Sequence, residues 1–333
     1  MVARSHRAFL SIFTRVGRSS IAGAAALAAA APAAAWETDP IYGRDVPLAD
    51  ATEAADRIVD AMIDEAIART NERSSCAWPA ERAERELARQ VYLATAERTV
   101  VEQRGPVRGQ GFGLYAAWLE TAPVVERRPA PDTEDLFTDL PFSVAPILST
   151  LGACSVVRLA GHDVGTDKPD HFFYNGYWYY ERARRRTEEA AIAWGTRTER
   201  TYYGLATSAT FSFADLHANW QGYLFFRDLL SGPVVVGDDG CLARRANFAW
   251  SDWVDWRWDE VLNPNVYTPK VQDWLDQHLG DHEACTSVSA LLPDIAAHVP
   301  EALAEQGAYY TRRAPPRTDP YALAERCREV ATP

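Results

Sequence analysis

Three helical stretches follow one another with little interruption between residues 167 and 230, and this succession limits the chain to a mainly helical fold. Asp167 to Arg185 reads as the first, with Thr166 placed to cap it and Pro169 tolerated in the opening turn. Thr187 opens the second. Its hydroxyl can cap the helix, and Glu188 and Glu189 suit the positive end of the dipole. That helix is expected to end near Glu199. Thr201 to Phe211 is rich in β-formers around Gly204, which predicts a hairpin or an irregular ribbon. Ser212, with Asp215 three residues on, then opens a third helix running to about Leu230.

The flanking sequence adds helices on both sides. Ala55, Ile58, Val59, Met62, Ile63 and Ala66 repeat at helical spacing, so Ala51 to Asn71 is expected as a helix. Pro79 starts another, to about Val101, before Gly105 to Gly113 breaks it. Tyr115 to Thr121 reads as a short helix and Val124 to Asp139 as a long loop. Val156 to Ala160 is an expected strand, followed by a turn at Gly161 to Thr166. Val234 to Val236 is another strand, and two helices near Lys270–Gly280 and Pro320–Val330 close the chain. The class is therefore mainly α, with enough extended chain to count as α+β. A boundary is expected near residue 150, with residues 36–150 and 151–333 forming either two domains or one.

Residues 1–35 read as a secretory signal. Arg4, Arg7, Arg15 and Arg18 make a basic start, Ile21 to Ala35 is apolar, and Ala33-Ala34-Ala35 fits a small-x-small cleavage site. A periplasmic or secreted location is expected, with no membrane span after cleavage. Cys76, Cys154, Cys241, Cys285 and Cys327 are widely spaced. An oxidising compartment would allow two disulfides and leave one thiol, with the pairing open. The chain carries 34 Lys and Arg against 46 Asp and Glu, a net charge of −12. Without the first 35 residues it is −16, which excludes nucleic acid as the natural partner. Arg dominates the basic set, and only Lys168 and Lys270 are lysines.

Glu199 is the candidate that best fits acid catalysis. A carboxyl group that ends a helix against a ribbon can be partly buried. Burial and the helix C-terminus both disfavour its charged form. Trp194, Tyr202 and Tyr203 lie near in sequence, and Ser208, Thr207 or Thr210 could place water or a sugar hydroxyl. The plain alternative for Glu199 is a solvated partner of Arg197 and Arg200. Asp167, Lys168, His171 and Asn175 share the first helix, with His171 one turn from both Asp167 and Asn175. Asp215 and Asn219 are one turn apart on the third. For His171 and Asn175 a hydrogen-bonded structural pair is the expected role.

The combination of Gly165-Thr166-Asp167-Lys168-Pro169-Asp170-His171-Phe172-Phe173, of Trp194-Gly195 through Glu199, of Gly204-Leu205, and of Ser212 to Phe225 resembles a family of exported bacterial proteins. That family in turn is similar to the deacetylation-specific lysozyme of predatory bacteria. The resemblance covers roughly residues 156–265. It implies a lysozyme-like helical domain with a small β-ribbon, extended here by N-terminal helices. It implies a peptidoglycan hydrolase with a carboxylate acid, Glu199 first and Glu188 in reserve, and no cofactor or metal. Ala209 stands where the pattern would have Gly in the turn after Thr207-Ser208.

An acidic protein would be repelled by ordinary anionic peptidoglycan and attracted to glycan whose amino sugars are N-deacetylated. Trp250, Trp253, Trp256 and Trp258, interleaved with Asp252, Asp255, Asp259 and Glu260, could supply indole faces and carboxylates to such a substrate, Trp253 and Asp255 first. The simpler expectation for this stretch is an amphipathic helix with Trp inward and acids in water. Tyr202, Tyr203, Asp215 and Asn219 are the other candidate substrate contacts. Two rivals stand beside the glycosidase. One is a metal-dependent envelope hydrolase with ligands among His162, Asp163, Asp167, His171, Asp215 and His217. The other is a non-catalytic envelope protein that binds glycan or a partner.

Overall fold

Ala55, Val59, Ile63, Ala66 and Ile67 recur three or four residues apart and all are buried, so one stripe of α1 (Thr52–Ser74) faces the core. In α2 (Ala80–Ala96) the stripe is Ala83, Leu87, Val91 and Ala94, and the two helices pack on each other. The computed structural model describes residues 38–101, 110–128, 137, 140–145, 154–201, 204–205, 208–279, 284–289, 291–309 and 320–330, all within one contact unit, Pro32–Pro333. The expected signal segment lies outside them.

After α2 come β1 (Arg98–Val101), where the sequence reads as the end of the helix, and β2 (Gln110–Gly113), in the expected break; the two pair antiparallel. Then follow α3 (Leu114–Thr121), β3 (Arg127–Arg128), β4 (Val156–Leu159) and β5 (His162–Gly165). The last three form an antiparallel sheet in the order β3-β4-β5. The expected turn at Gly161 to Thr166 is mostly strand. Leu159 pairs with His162, so the reversal is confined to Ala160 and Gly161, at φ 51° and 82°. Two successive positive φ angles give the twist that a two-residue hairpin needs.

The central helical run begins with α4 (Lys168–Asp170), passes through a π turn (His171–Asn175) and continues as α5 (Gly176–Arg185). It is followed by α6 (Glu188–Arg200) and α7 (Phe213–Arg227). Thr187 accepts from Ala190 N at 3.2 Å and Ser212 accepts from Asp215 N at 3.1 Å, so both expected caps are made. Helices α5 and α7 cross backbone against backbone. A Cβ on Gly176 would come 2.6 Å from Gly222 C, and one on Gly222 would come 1.9 Å from the Phe172 carbonyl oxygen.

The expected ribbon between α6 and α7 is not a local hairpin among the described residues. Only β6 (Thr210–Phe211) is extended, and it pairs with distant β9 (Val266–Tyr267). Ala209, where Gly is expected, sits at φ 63°. The turn therefore does require the left-handed conformation, and here an alanine adopts it at a steric cost. Between these strands lie the hairpin of β7 (Val234–Val236) and β8 (Leu242–Arg244) and two short 3-10 turns, Trp250–Asp252 and Trp256–Trp258. The Trp-Asp stretch is thus not an amphipathic helix. Its turns carry Trp250 and Trp258 into the core, and Asp259 and Glu260 go in with them.

The chain closes with α8 (Pro269–His278), α9 (Ala284–Ser289), α10 (Leu292–Tyr309) and α11 (Leu323–Val330). No described helix is long and apolar enough to cross a membrane. The N-terminal helices share one core with the central run: Val59, Leu87, Phe172, Phe225 and Trp250 belong to one apolar cluster. Cys76 at the end of α1 is bonded to Cys241 beside β8, and Cys285 of α9 to Cys327 of α11. Cys154 is the buried free thiol.

Candidate functional site

Lys168 begins the central helical run, at the point where β5 ends, and its side chain is fully enclosed. Its ammonium lies 2.8 Å from Asp167 Oδ2, 2.9 Å from Asp215 Oδ1, 2.8 Å from Glu260 Oε1 and 3.5 Å from Asp39 Oδ1. Four segments converge here: the extended N-terminal stretch, the β5–α4 junction, the first turn of α7, and the residues after the second 3-10 turn. Burial works against the charge on Lys168, but Asp167, Asp215, Asp39 and Glu260 outweigh it and hold the ammonium protonated. Burial pushes Asp39 up to about 6 and both Asp167 and Glu260 up to about 7, although Lys168 pulls each of them down.

Hydrogen bonds lock this cluster in place. Glu260 accepts from Asp39 N at 2.8 Å and from the Ser212 hydroxyl at 2.9 Å. Gly165 is required because a Cβ there would lie 1.9 Å from Asp39 Oδ1 and 2.6 Å from Asp167 Oδ1. His171 Nε2 is 3.4 Å from Asp215 Oδ2, and its Nδ1 lies between Asn219 Oδ1 at 3.1 Å and Asn175 Nδ2 at 2.9 Å. His171 and Asn175 thus form the expected structural pair, joined by Asn219. Next to the lysine, Arg44 pairs with Asp259 at 2.9 Å and approaches Asp163 at 3.7 Å.

Glu199 adjoins this cluster in the last turn of α6. It is buried, and its Oε1 accepts from Ser212 N at 2.9 Å. Burial, reinforced by the charge on Asp215, pushes its carboxyl well above the ordinary range and so favours the protonated form. It is not the solvated partner of Arg197 and Arg200. The following loop lies directly against it, since a Cβ on Gly204 would come 2.6 Å from Glu199 Oε1. Ser208 closes that loop, donating its hydroxyl to Gly204 O at 3.0 Å. Thr207, Tyr202 and Tyr203 lie outside the described residues.

No family model, curated protein or solved structure matches this chain.

The other expected site residues divide sharply. Asp167, Lys168, Asp215, His171, Asn175 and Asn219 come together as above. Glu188 does not join Glu199. It starts α6 at the opposite end, about 16 Å away by helical rise, where Tyr223 donates to it and Arg227 pairs with it at 3.8 Å. Trp253 packs on Phe172 and Phe225, at 5.7 and 5.8 Å between ring centres. Asp255 caps the second 3-10 turn and is held by Arg257 at 2.7 Å and His217 at 3.4 Å. Despite burial, these partners keep its carboxyl below the usual range.

Of the six suggested metal ligands, only Asp167, His171 and Asp215 bring ligand atoms within 4.8 Å of one another. Asp163 is drawn off by Arg128 and Arg158, and His217 by Asp255. A second such group, Asp39, Cys154 and Asp167, places the Cys154 sulfur 3.3 Å from Asp39 Oδ1. Both groups touch the Lys168 ammonium, which supplies a positive charge where a divalent ion would bring its own.

Asp39, Cys154 and Arg44 are the members that sequence reasoning missed as site residues, and Glu260 is legible only as one carboxylate of the Trp-Asp stretch. Asp39 lies in an extended stretch with no periodicity, and apart from Arg44 at 4.0 Å its partners Lys168, Cys154 and Glu260 are more than 100 residues away. One signal did point here: Lys168 is one of only two lysines in a chain that otherwise uses arginine.

Proposed function

We propose that this protein is an exported glycoside hydrolase of the lysozyme kind that cleaves peptidoglycan glycan strands, with Glu199 as the general acid. The observation that carries the reading is the state of Glu199. Its carboxyl is buried, burial pushes it toward the protonated form, and one oxygen is fixed by a backbone N–H at the start of α7. A glycosidic oxygen leaves only when protonated, and a carboxylic acid that keeps its proton at neutral pH can supply it. The lysozyme-like resemblance of residues 156–265 supports the same assignment. Two disulfides fit an oxidising compartment outside the cytoplasm.

In this mechanism Ser212 N–H orients the Glu199 carboxyl, and burial maintains its proton until it passes to the leaving oxygen. Gly204, packed directly against the carboxyl, excludes bulk water from one side of the acid. The electron-deficient sugar is then captured by water or by its own 6-hydroxyl, and the proton released from the attacking oxygen returns to the Glu199 carboxylate. Mass spectrometry separates the two, a hydrated reducing end marking hydrolysis and an anhydro end marking transglycosylation.

The test is fragment release from native and N-deacetylated sacculi by the wild-type chain and by Glu199→Gln. The amide is isosteric and cannot donate an acid proton, so turnover is expected to fall at least about 100-fold. Equal cleavage by the variant removes Glu199 from the chemistry. Release from neither substrate by the wild type removes the hydrolase reading.

A further inference from the structure

Four arginines on α5, on α6 and in the turn between them carry no ion pair among the described residues: Arg182, Arg186, Arg197 and Arg200. This is unexpected in a chain with net charge −12. The acids nearby are engaged elsewhere. Glu181 is taken by Arg184 and Arg185, at 3.5 and 2.6 Å, and Glu188 by Tyr223 and Arg227. Glu189 is fully exposed and bonds to Thr187 and its own backbone.

Three of these side chains, Arg182, Arg186 and Arg197, lie together. Arg182 and Arg186 are one turn apart, with Arg186 N donating to Arg182 O at 2.9 Å. The Arg182 guanidinium lies over the Trp194 ring at 4.7 Å from its centre, and Tyr179 meets the same ring edge-on at 5.9 Å. Arg197 follows Trp194 by three residues on α6, so it continues the same face, whereas Arg200, six residues on, is turned about 120° away from the ring. Arg186, Arg197 and Arg185 are close enough to Arg182 to repel it and disfavour its charge, after burial. Arg182 Nε and Arg200 Nη2 are buried nitrogens with no hydrogen-bond partner. An unpaired buried donor is costly, and a cluster of like charges more so, unless an anion completes it.

We propose that this arginine face, centred on Trp194, binds carboxylate groups carried by a glycan strand. The choice of partner rests on the glycosidase reading: the face shares a helix with Glu199, and Arg197 and Arg200 flank that residue in sequence. Guanidinium groups meet carboxylates through two parallel hydrogen bonds. The half-buried Trp194 ring adds an apolar surface for a sugar. The local field is opposite to the net charge. Asp39, Asp167, Asp215 and Glu260 are shut inside with Lys168 and do not present an acidic groove. On this face the accessible charge is positive, which favours stem-peptide and lactyl carboxylates over the ammonium groups of deacetylated sugars.

The test is co-sedimentation of the full chain with three probes: native sacculi, sacculi whose carboxylates have been amidated, and phosphatidylglycerol vesicles. Arg186 and Arg197 are both exposed, so Arg186→Glu/Arg197→Glu is the first variant, with the Gln pair as a milder second. Binding to native sacculi is expected to weaken at least about tenfold on amidation and in the Glu variant, and to fall with rising salt. Undiminished binding to amidated sacculi overturns the proposal, as does full binding by folded variants. Binding confined to the vesicles also overturns it and assigns the face to a membrane. Patch-dependent binding without fragment release leaves the face assigned and removes the glycosidase.

Discussion

The Lys168 ammonium and the Asp215 carboxylate lie 2.9 Å apart at a point where neither side chain reaches solvent. Asp215 belongs to the first turn of α7, while Lys168 opens the helical run that crosses it. The pair fixes the end of α7 that holds Glu199 through Ser212 N–H. The same ammonium reaches back to Asp39 and forward to Glu260, so one positive charge ties the first described residues to the last part of the central region.

Removing that charge leaves several buried carboxyl groups without their cation. Lys168→Met is expected to cost about 3–5 kcal/mol, the range for breaking a buried ion pair from one side. Lys168→Arg should not restore the loss, because the larger guanidinium has no room in a site with no exposed surface. The loss should be greater at pH 8 than at pH 5, since the orphaned carboxyls can take up protons in acid. Urea denaturation at both pH values checks this. A variant as stable as the wild type would reduce the cluster to a bystander.

The wild type has its own pH signature. Asp39 titrates at about 6 in the fold against an ordinary 3.8, Asp167 at about 7 against 3.8, and Glu260 at about 7 against 4.5. The folded state therefore binds more protons than the unfolded chain between about pH 4 and pH 7. The stabilisation from these groups is complete below the unfolded values and is lost as pH rises through the folded ones. Asp255, held low, acts oppositely and loses its contribution only in stronger acid. The urea midpoint is expected to fall from pH 5 to pH 8. A midpoint that rises over that interval contradicts the assigned protonation.

The parts of this arrangement differ in how far the sequence discloses them, and the reason is range. The caps at Thr187 and Ser212 are local, and the spacing of polar groups within four residues predicts them. The His171–Asn175 contact is one helical turn and equally legible. Burial of Glu199 follows from its place at a helix end against extended chain. Asp39 and Glu260 are 221 residues apart and meet through a backbone N–H, which no periodicity signals. The Trp-Asp stretch misleads because 3-10 turns and an amphipathic helix place aromatics at similar intervals. Net charge does not disclose the local field, because it weighs enclosed acids such as Asp39 and Glu260 equally with exposed arginines such as Arg186 and Arg197.

The two disulfides make a simple chemical prediction. Five cysteines are present, Cys76 is bonded to Cys241 and Cys285 to Cys327, and Cys154 is enclosed with its thiol pushed to high pKa by burial and by Asp167. The native oxidised protein should show no thiol reactive with a disulfide reagent. The unfolded oxidised protein should show one. Reduction of both bonds should lower stability by about 4–8 kcal/mol, with the somewhat larger share from Cys76–Cys241, whose ends are 165 residues apart against 42 for Cys285–Cys327. Peptide mapping that pairs Cys154 with any other cysteine would refute the arrangement.

Gly222→Ala tests the crossing on which the site is built. The added methyl would stand 1.9 Å from the Phe172 carbonyl oxygen and 2.7 Å from its carbon, which is backbone and cannot swing aside. Helices α5 and α7 must therefore separate, although Gly176 allows them to touch. The π turn that contains Phe172 also contains His171, so its contacts with Asn219 and Asp215 move with it. Overpacking of this kind costs about 3 kcal/mol. Alanine favours a helix over glycine by only about 1 kcal/mol, so the net effect is a loss of about 2 kcal/mol. The expected result is a lower urea midpoint together with weakened Glu199-dependent turnover, because α7 carries both Asp215 and the Ser212 cap. A midpoint above that of the wild type would mean that propensity outweighs contact and that the two helices do not cross this closely.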